Sequence, residues 1–262
     1  MTNDVLIAEA LRLLDLFKDV KDCTFHRIVD SASARVLRKG AILFRQGASP
    51  EFLHVPLSGK IALVSTTSSG ETAIIDLQCQ GRPVETSSVL LTEPYPVTAE
   101  VLAEASIIFI PVVVLREATL ADPALSLALL TALSRENLRF VGQVKALKTE
   151  KAIERCSRFV LGLIDAQKSR RVVLPFSKRL IAEFLGMTPA TLSRTLTQLR
   201  ALGVRMKGSE LTVDDTARLR RLLDQPELPD SSAAPSPAVG TAQSRIEADP
   251  AAAPAGNAVN AP

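Results

Sequence analysis

Short segments in which apolar and polar residues alternate fill the chain from about residue 34 to residue 114. The alternation, as at Ile61 and Leu63 or at Ile75 and Leu77, is typical of strands with one buried face. Glycines separate these segments, and turn signals at such regular intervals predict a β-sandwich or a jelly-roll barrel. The predicted strands are Ala41–Phe44, Phe52–Leu57, Lys60–Ser65, Thr72–Leu77, Val97–Leu102 and Ser106–Val113.

One long helix is predicted next, over residues 124–149, where apolar residues recur every three to five positions. At ~1.5 Å per residue it would be about 40 Å long, which is more than a small barrel can cover. We therefore expect its apolar stripe to pack against the same helix of a second copy, although a helix lying wholly on its own barrel is the alternative. The expected dimer contacts are Leu129, Leu133, Leu138, Val141 and Val144.

A helix-turn-helix pattern follows a second predicted helix at Ala152–Gln167. Ser177 is a suitable N-cap for a short helix over Lys178–Leu185, and Gly186 suits the left-handed position that ends it. Thr188 and Pro189 then begin another helix, which Gly203 stops. Val204–Met206 and Glu210–Val213 flank Lys207–Gly208–Ser209, so a β-hairpin wing is predicted after the helix pair.

The outward face of the second of these helices carries small or hydrogen-bonding side chains that would fit the major groove of DNA, with an arginine able to bind guanine. We predict that this face reads bases through Thr188, Pro189, Ala190, Thr191, Ser193, Arg194 and Gln198. Phosphate contacts are predicted for Ser177, Lys178, Arg179, Arg200, Arg205 and Lys207. The alternative for this region is a helix pair with a solvated basic face.

The charge distribution supports a polyanionic partner. The 262 residues carry a net charge of only +3, but residues 168–225 alone carry 12 Lys and Arg against five Asp and Glu. Residues 1–167 are close to neutral, and the tail is acidic. A basic block of this kind within one short region is a candidate surface for nucleic acid, so double-stranded DNA is the expected partner.

Composition argues against several other classes of protein. No apolar run reaches the ~18 uncharged residues of a membrane span, and the first residues lack the pattern of a signal peptide. Three scattered cysteines suit a reducing cytosol, and two histidines leave little for acid–base or metal catalysis. We expect a cytoplasmic protein that is not an enzyme.

Residues 225–262 are rich in Pro, Ala and Ser and are predicted to be disordered.

The order of these parts resembles the CRP/FNR family of bacterial transcription regulators. The resemblance rests on RKGAILFRQG, LSGKIAL and VETSSVLLTEPYPVTAEV in the barrel and on GMTPATLSRTLTQLRALG in the basic block. It implies an α+β protein with a cyclic-nucleotide-binding-like jelly roll at residues 1–123, a dimerisation helix at 124–149 and a winged helix-turn-helix at 150–224. It also implies a homodimer on a two-fold symmetric DNA site, with RNA polymerase as a further partner.

Departures from the family pattern affect the expected effector. Family members that bind cyclic AMP have a Gly-Glu pair followed by an arginine that holds the phosphate. Here Val84 precedes Glu85, and the arginine position falls on Tyr95 or Pro96. An effector pocket around Val84, Glu85 and Tyr95 is therefore expected to take something other than cyclic AMP.

Two other cofactors of the family, an iron–sulfur cluster and a haem, each need specific protein ligands. An iron–sulfur cluster is not expected, because Cys23, Cys79 and Cys156 are too few and too scattered. A haem stays open, with His26, His54, a cysteine, a methionine or the N-terminus as axial ligand, although a structural role is favoured for each histidine. The EPYPVTAEV segment is similar to the branch of the family that responds to nitric oxide and governs denitrification.

The recognition helix also departs from the family. Ala190 occupies the position where the family usually has a glutamate, and alanine cannot accept a hydrogen bond from cytosine. An altered half-site preference is expected, with Arg194 still reading guanine. A ligand-binding module that acts through protein contacts without binding DNA is the alternative function.

Overall fold

Two short helices and an antiparallel barrel form the N-terminal half of the chain. A computed structural model describes residues 3–224, so the segment predicted to be disordered, 225–262, lies outside the described residues. Helices α1 (Asn3–Arg12) and α2 (Asp22–Ser31) precede the barrel. Its strands are β1 (Ser33–Leu37), β2 (Ile42–Phe44), β3 (Phe52–Pro56), β4 (Lys60–Thr66), β5 (Thr72–Gln78), β6 (Thr98–Ala103) and β7 (Ala105–Pro111).

The strands form two antiparallel sheets with the orders β1-β7-β3 and β2-β6-β4-β5. Their inward residues and apolar residues of the surrounding helices make one hydrophobic core, as the alternation predicts for a jelly roll. Side chains such as Leu53, Ile61 and Ile107 are at most 1% exposed in this core. Helix α3 (Thr86–Leu91) interrupts the strands between β5 and β6.

The structure corrects two details of the predicted strands. On β5 the buried face carries Asp76 and Gln78, whereas Ile75 is 37% exposed. The apolar alternation therefore indicated the wrong face of this strand. Val112 and Val113, predicted as strand, begin helix α4 (Val112–Ala121), because the strand ends at Pro111.

The long helix α5 (Pro123–Thr149) is confirmed within one residue of the prediction. Asp122 caps its first turn, with its carboxylate accepting hydrogen bonds from the backbone N–H of Ala124 at 3.0 Å and of Lys21 at 2.9 Å. The first turns of α5 cover the barrel, where Leu125 and Leu129 are buried in the core.

The predicted dimer contacts need a correction for this reason. Leu129 is 2% exposed and packs inside its own barrel, and Leu133 is half-buried. The exposed apolar stripe of α5 lies on another face of the helix, the face that is turned away from the barrel. It consists of Leu127, Leu130, Leu138, Val141 and Val144, which are all at least 50% exposed.

A second hydrophobic core organises the C-terminal half. Helix α6 (Ala152–Gln167) contributes Cys156, which is buried, as predicted. A three-stranded sheet has the order β8-β10-β9, so the wing carries a third strand that the sequence did not predict. The remaining elements are β8 (Arg171–Val173), α7 (Lys178–Phe184), α8 (Pro189–Leu199), β9 (Val204–Lys207), β10 (Glu210–Val213) and α9 (Thr216–Asp224).

Candidate nucleic-acid interface

The caps of the two short helices α7 and α8 match the sequence prediction. Ser177 Oγ accepts a hydrogen bond from Leu180 N at 3.3 Å, and Thr188 Oγ1 accepts one from Thr191 N at 3.1 Å. Pro189 occupies the first turn of α8, where its missing N–H leaves no bond unmade. These local bonds define where each helix begins and therefore the direction in which α8 points.

The turn between α7 and α8 is held from outside the pair. Gly186 has φ +63°, a left-handed conformation that favours glycine, and its Cα faces the end of the Leu147 side chain of α5. Arg155 on α6 donates Nε to the Leu185 carbonyl at 2.9 Å and Nη1 to the Glu150 carbonyl at 2.5 Å. The sequence did not indicate this supporting role of Arg155, because the carbonyls that it binds belong to other elements.

One face of α8 is exposed along its whole length. Leu192, Thr195 and Leu199 are buried on the opposite face and attach the helix to the C-terminal core. The exposed side chains include five of the residues predicted to read bases, namely Pro189, Ala190, Ser193, Arg194 and Gln198. Thr188 is also exposed, and Thr191 is half-buried, with its hydroxyl 2.9 Å from that of Thr188. The structure thus brings the predicted face together on one helix.

Cations surround this face. Lys178 and Arg200 line one small cleft together with Pro189 and Ser193 of α8, and Lys207 is exposed at the end of β9 beside the wing turn. Two other predicted phosphate contacts already have carboxylate partners: Arg179 binds Glu183 at 2.9 Å and Arg205 binds Asp214 at 2.6 Å. Such exposed pairs are weak, so a phosphate could replace the carboxylate. Among the described residues, Lys178, Arg194, Arg200 and Lys207 form no ion pair.

Two of the three residues predicted to line an effector pocket are packed in the barrel core. Val84 is fully buried, and Tyr95 is 2% exposed, with its ring stacked 3.8 Å from that of Phe44 and its hydroxyl donating to the Phe52 carbonyl at 3.2 Å. Both side chains belong to the barrel core because the strands close tightly around them. Glu85 is half-buried beside Ser88, and burial, followed by the negative charge of Glu136, raises its pKa.

His54 does not fit the role of a haem ligand. Its ring is 3% exposed and lies among aromatic rings, with centroid distances of 5.5 Å to Phe44 and 5.0 Å to Phe109. A haem at this ring would require the barrel core to repack. Burial, with a smaller contribution from Arg35, lowers the pKa of His54 to about 4, so the ring is neutral at physiological pH. His26, in contrast, is exposed on α2.

We expect His54 to make the fold sensitive to acid. Its pKa is about 4 in the folded chain against an ordinary value of 6.5, so between these values the unfolded state binds a proton that the folded state does not. The free energy of unfolding should therefore fall by up to about 3 kcal/mol as the pH drops from 6.5 to 4. Urea titrations across this range should show a smaller decrease for His54→Leu, with His26→Ala as the control. A wild-type slope equal to that of His54→Leu would contradict the assignment.

Within residues 3–224, no helix is long and apolar enough to cross a membrane. Over the same part of the chain, His, Cys, Asp and Glu side chains do not assemble into a group of three or more that could hold a metal ion.

Comparison with known proteins finds two family matches. The cyclic nucleotide-binding domain matches residues 34–122, and the Crp-like helix-turn-helix domain matches residues 154–222. The chain is 32% identical over 192 residues to the transcriptional activator protein FnrA of Stutzerimonas stutzeri, covering 71% of this chain and 78% of FnrA. It is 31% identical to the activator Anr of Pseudomonas aeruginosa, again covering 71% of this chain and 78% of the relative.

A solved structure shows the same fold. FixK2 from Bradyrhizobium japonicum superposes with a TM-score of 0.66 at 22% sequence identity. The match covers 75% of this chain and 99% of FixK2. The barrel, the long helix and the helix-turn-helix of this chain therefore have the fold of FixK2.

Proposed function

Because the chain belongs to the CRP/FNR family of transcription regulators, we propose that it binds a two-fold symmetric DNA site as a homodimer, with one helix α8 in each half-site. The observation that carries this proposal is the exposed face of α8, which presents Ser193, Arg194 and Gln198 and lies beside cations that form no ion pair within the described residues. Those are the features that a helix needs to enter a major groove between two phosphate backbones.

Base reading is assigned to the exposed face of α8. Arg194 has no carboxylate partner among the described residues, so its guanidinium is free to donate two hydrogen bonds to O6 and N7 of guanine. Ala190 offers only a methyl group, which favours contact with thymine over cytosine. Smaller contributions to base reading are assigned to Thr188, Pro189, Thr191, Ser193 and Gln198.

Phosphate contacts position α8 in the groove. Lys178 and Arg200 line the cleft beside α8, and Lys207 stands at the wing, so the three cations lie around the recognition helix rather than on it. Ser177 at the start of α7, Arg179 and Arg205 complete the proposed set. Because phosphates are the same for every sequence, these contacts should add affinity without specificity.

Dimerisation is assigned to the exposed stripe of α5. The helix continues past the part of the barrel that it covers, and its apolar side chains from Leu127 to Val144 remain in contact with water in the single chain. Packing this stripe against its symmetry mate would bury it and place the two α8 helices on one side of the dimer.

The remaining parts follow the family architecture. We propose a sensor domain at residues 1–123, the dimerisation helix at 124–149 and the DNA-binding domain at 150–224. FnrA and Anr carry the name of activators, and an activator of this kind would work in the cytoplasm and contact RNA polymerase. RNA polymerase is accordingly the proposed protein partner.

Salt dependence tests the proposal. A site should first be selected by the purified protein from random-sequence DNA, and the selected site should be a symmetric repeat. Its affinity should fall steeply with salt, and Lys207→Ala should reduce the log–log slope by about 1.8, because each phosphate contact contributes about 0.9 and the dimer has two copies. Lys39→Ala, on the barrel surface, is the control and should leave the slope unchanged. Selection of no symmetric site would exclude the proposed function.

A further inference from the structure

A buried carboxylate connects the barrel to the long helix. Asp76 lies on β5 and is only 1% exposed. From α5, Arg139 donates Nη1 to Oδ1 and Nη2 to Oδ2, both at 3.0 Å. The planar guanidinium therefore binds both oxygens of the carboxylate at once, which is the strongest geometry for this pair. This contact sets the angular position of α5 on the barrel.

Two groups of the barrel itself hold the same carboxylate. Arg82 Nη2 donates to Asp76 Oδ2 at 2.8 Å, and Gln78 Nε2 donates to it at 3.0 Å. Glu136 lies 3.7 Å from Arg139, one turn earlier on α5. The cluster thus contains two guanidiniums and two carboxylates, and Glu85 lies close by, where burial and the charges of Glu136 and Asp76 raise its pKa.

The cluster lies where three parts of the chain meet. One turn further along α5, Gln143 Nε2 donates to the Ile75 carbonyl of β5 at 3.2 Å, so α5 holds two successive residues of the strand. Helix α7 also packs against β5, and Phe184 lines one cleft together with Ile75 and Val144. A shift of α5 on β5 would therefore move the dimer stripe and the DNA-binding domain relative to the barrel.

We propose that Asp76 is an internal ligand of the sensor barrel. Its carboxylate binds Arg139 and holds α5 in the DNA-binding arrangement, so that no small-molecule effector is needed. An effector can act only through contacts that differ between two states. Here the chain supplies such a contact itself, and breaking it would leave the buried Asp76 carboxylate with Arg82 as its remaining cation. Val84 and Tyr95 are packed in the barrel core, and the cleft of about 320 Å³ beside the cluster is lined by Arg82 and Arg139 themselves. Asp76 and Arg139 are positioning residues, and the inference rests on the proposed DNA-binding function.

Two arginine variants distinguish the positioning of α5 by Arg139 from the mere loss of a positive charge beside Asp76. Arg82 and Arg139 both bind Asp76, and their side chains are similarly exposed, but only Arg139 belongs to α5. Arg139→Met should lower affinity for the selected DNA site at least about tenfold, a typical coupling effect, whereas Arg82→Met should have little effect. Sedimentation should show that both variants remain dimers, because the stripe is intact. Equal effects of the two variants on DNA affinity would overturn the inference.

Chemical rescue tests the carboxylate directly. Asp76→Ala should also lose at least about tenfold in affinity, and formate should restore most of it by entering the space between the two guanidiniums. Chloride at the same ionic strength is the control and should give no recovery. A folded dimer of Asp76→Ala that binds DNA as tightly as the wild type would overturn the proposal, as would a loss that formate does not reverse. If Asp76→Ala does not fold, the pair Arg139→Met and Arg82→Met decides the question.

The wild-type protein distinguishes this inference from the proposed function. After extensive dialysis it should bind the selected site fully, and added cyclic AMP should not change its affinity. Binding only in the presence of cyclic AMP would refute the internal ligand but leave the DNA-binding function in place. No binding to any symmetric site in either condition would refute both.

Discussion

Leu138→Glu is expected to convert the dimer into a monomer and to lower affinity for the selected DNA site by about 100-fold or more. Leu138 is 71% exposed in the single chain and lies in the middle of the apolar stripe of α5. By two-fold symmetry the substitution places two carboxylates within one apolar interface, where each would lose its hydration without a partner. A monomer then binds each half-site alone and loses the gain of simultaneous binding.

Sedimentation and fluorescence anisotropy on the same samples check this prediction. Leu120→Glu is the matched control, because Leu120 is 90% exposed but lies on α4, outside the stripe. The control should stay dimeric and bind DNA normally, and the circular dichroism spectra of both variants should match the wild type. A Leu138→Glu protein that remains dimeric would show that subunits associate through another surface.

Arg194→Ala is expected to remove most of the discrimination between the selected site and unrelated DNA. A bidentate contact to guanine is worth about 1–3 kcal/mol, which is about 5- to 150-fold for each half-site, and the dimer has two. Affinity for unrelated DNA should change little, because phosphate contacts supply that part of the binding. The ratio of the two affinities, measured at one salt concentration, is therefore the quantity that should fall.

Arg194→Lys separates the charge of this residue from its hydrogen-bonding geometry. Lysine keeps the positive charge but lacks the planar pair of donors, so this variant should retain affinity for unrelated DNA and still lose much of its specificity. A second selection with Arg194→Ala should return a site in which one guanine per half-site is no longer required. If Arg194→Ala lowers both affinities equally, Arg194 contacts phosphate and not a base.

The local features of the DNA-binding half could be predicted from the sequence. Ser177, Gly186, Thr188 and Pro189 each act through backbone bonds or dihedral angles within a few residues, so their effect on helix ends does not depend on the rest of the fold. The bounds of α5 and the start of α8 follow for the same reason, and the exposed face of α8 follows from the period of its apolar residues.

The tertiary structure decided which faces of the elements are buried. Leu129 and Leu138 have the same apolar character and belong to the same helix, but the barrel covers only the first of them. On β5 a carboxylate is turned inward and an isoleucine outward, contrary to the apolar pattern. Val84 and Tyr95, predicted to face a ligand, are packed in the core.

Asp76 and Arg139 show why such features are not visible in the sequence. They are 63 residues apart, and neither stands in a local pattern that names the other. A buried charge is tolerated only where the fold brings its partner within hydrogen-bonding distance. The sequence by itself therefore determined the elements, their order and the DNA-binding motif, because local sterics and periodicity govern these. Only the packing of distant elements decided the dimer face and the ionic contact between barrel and helix.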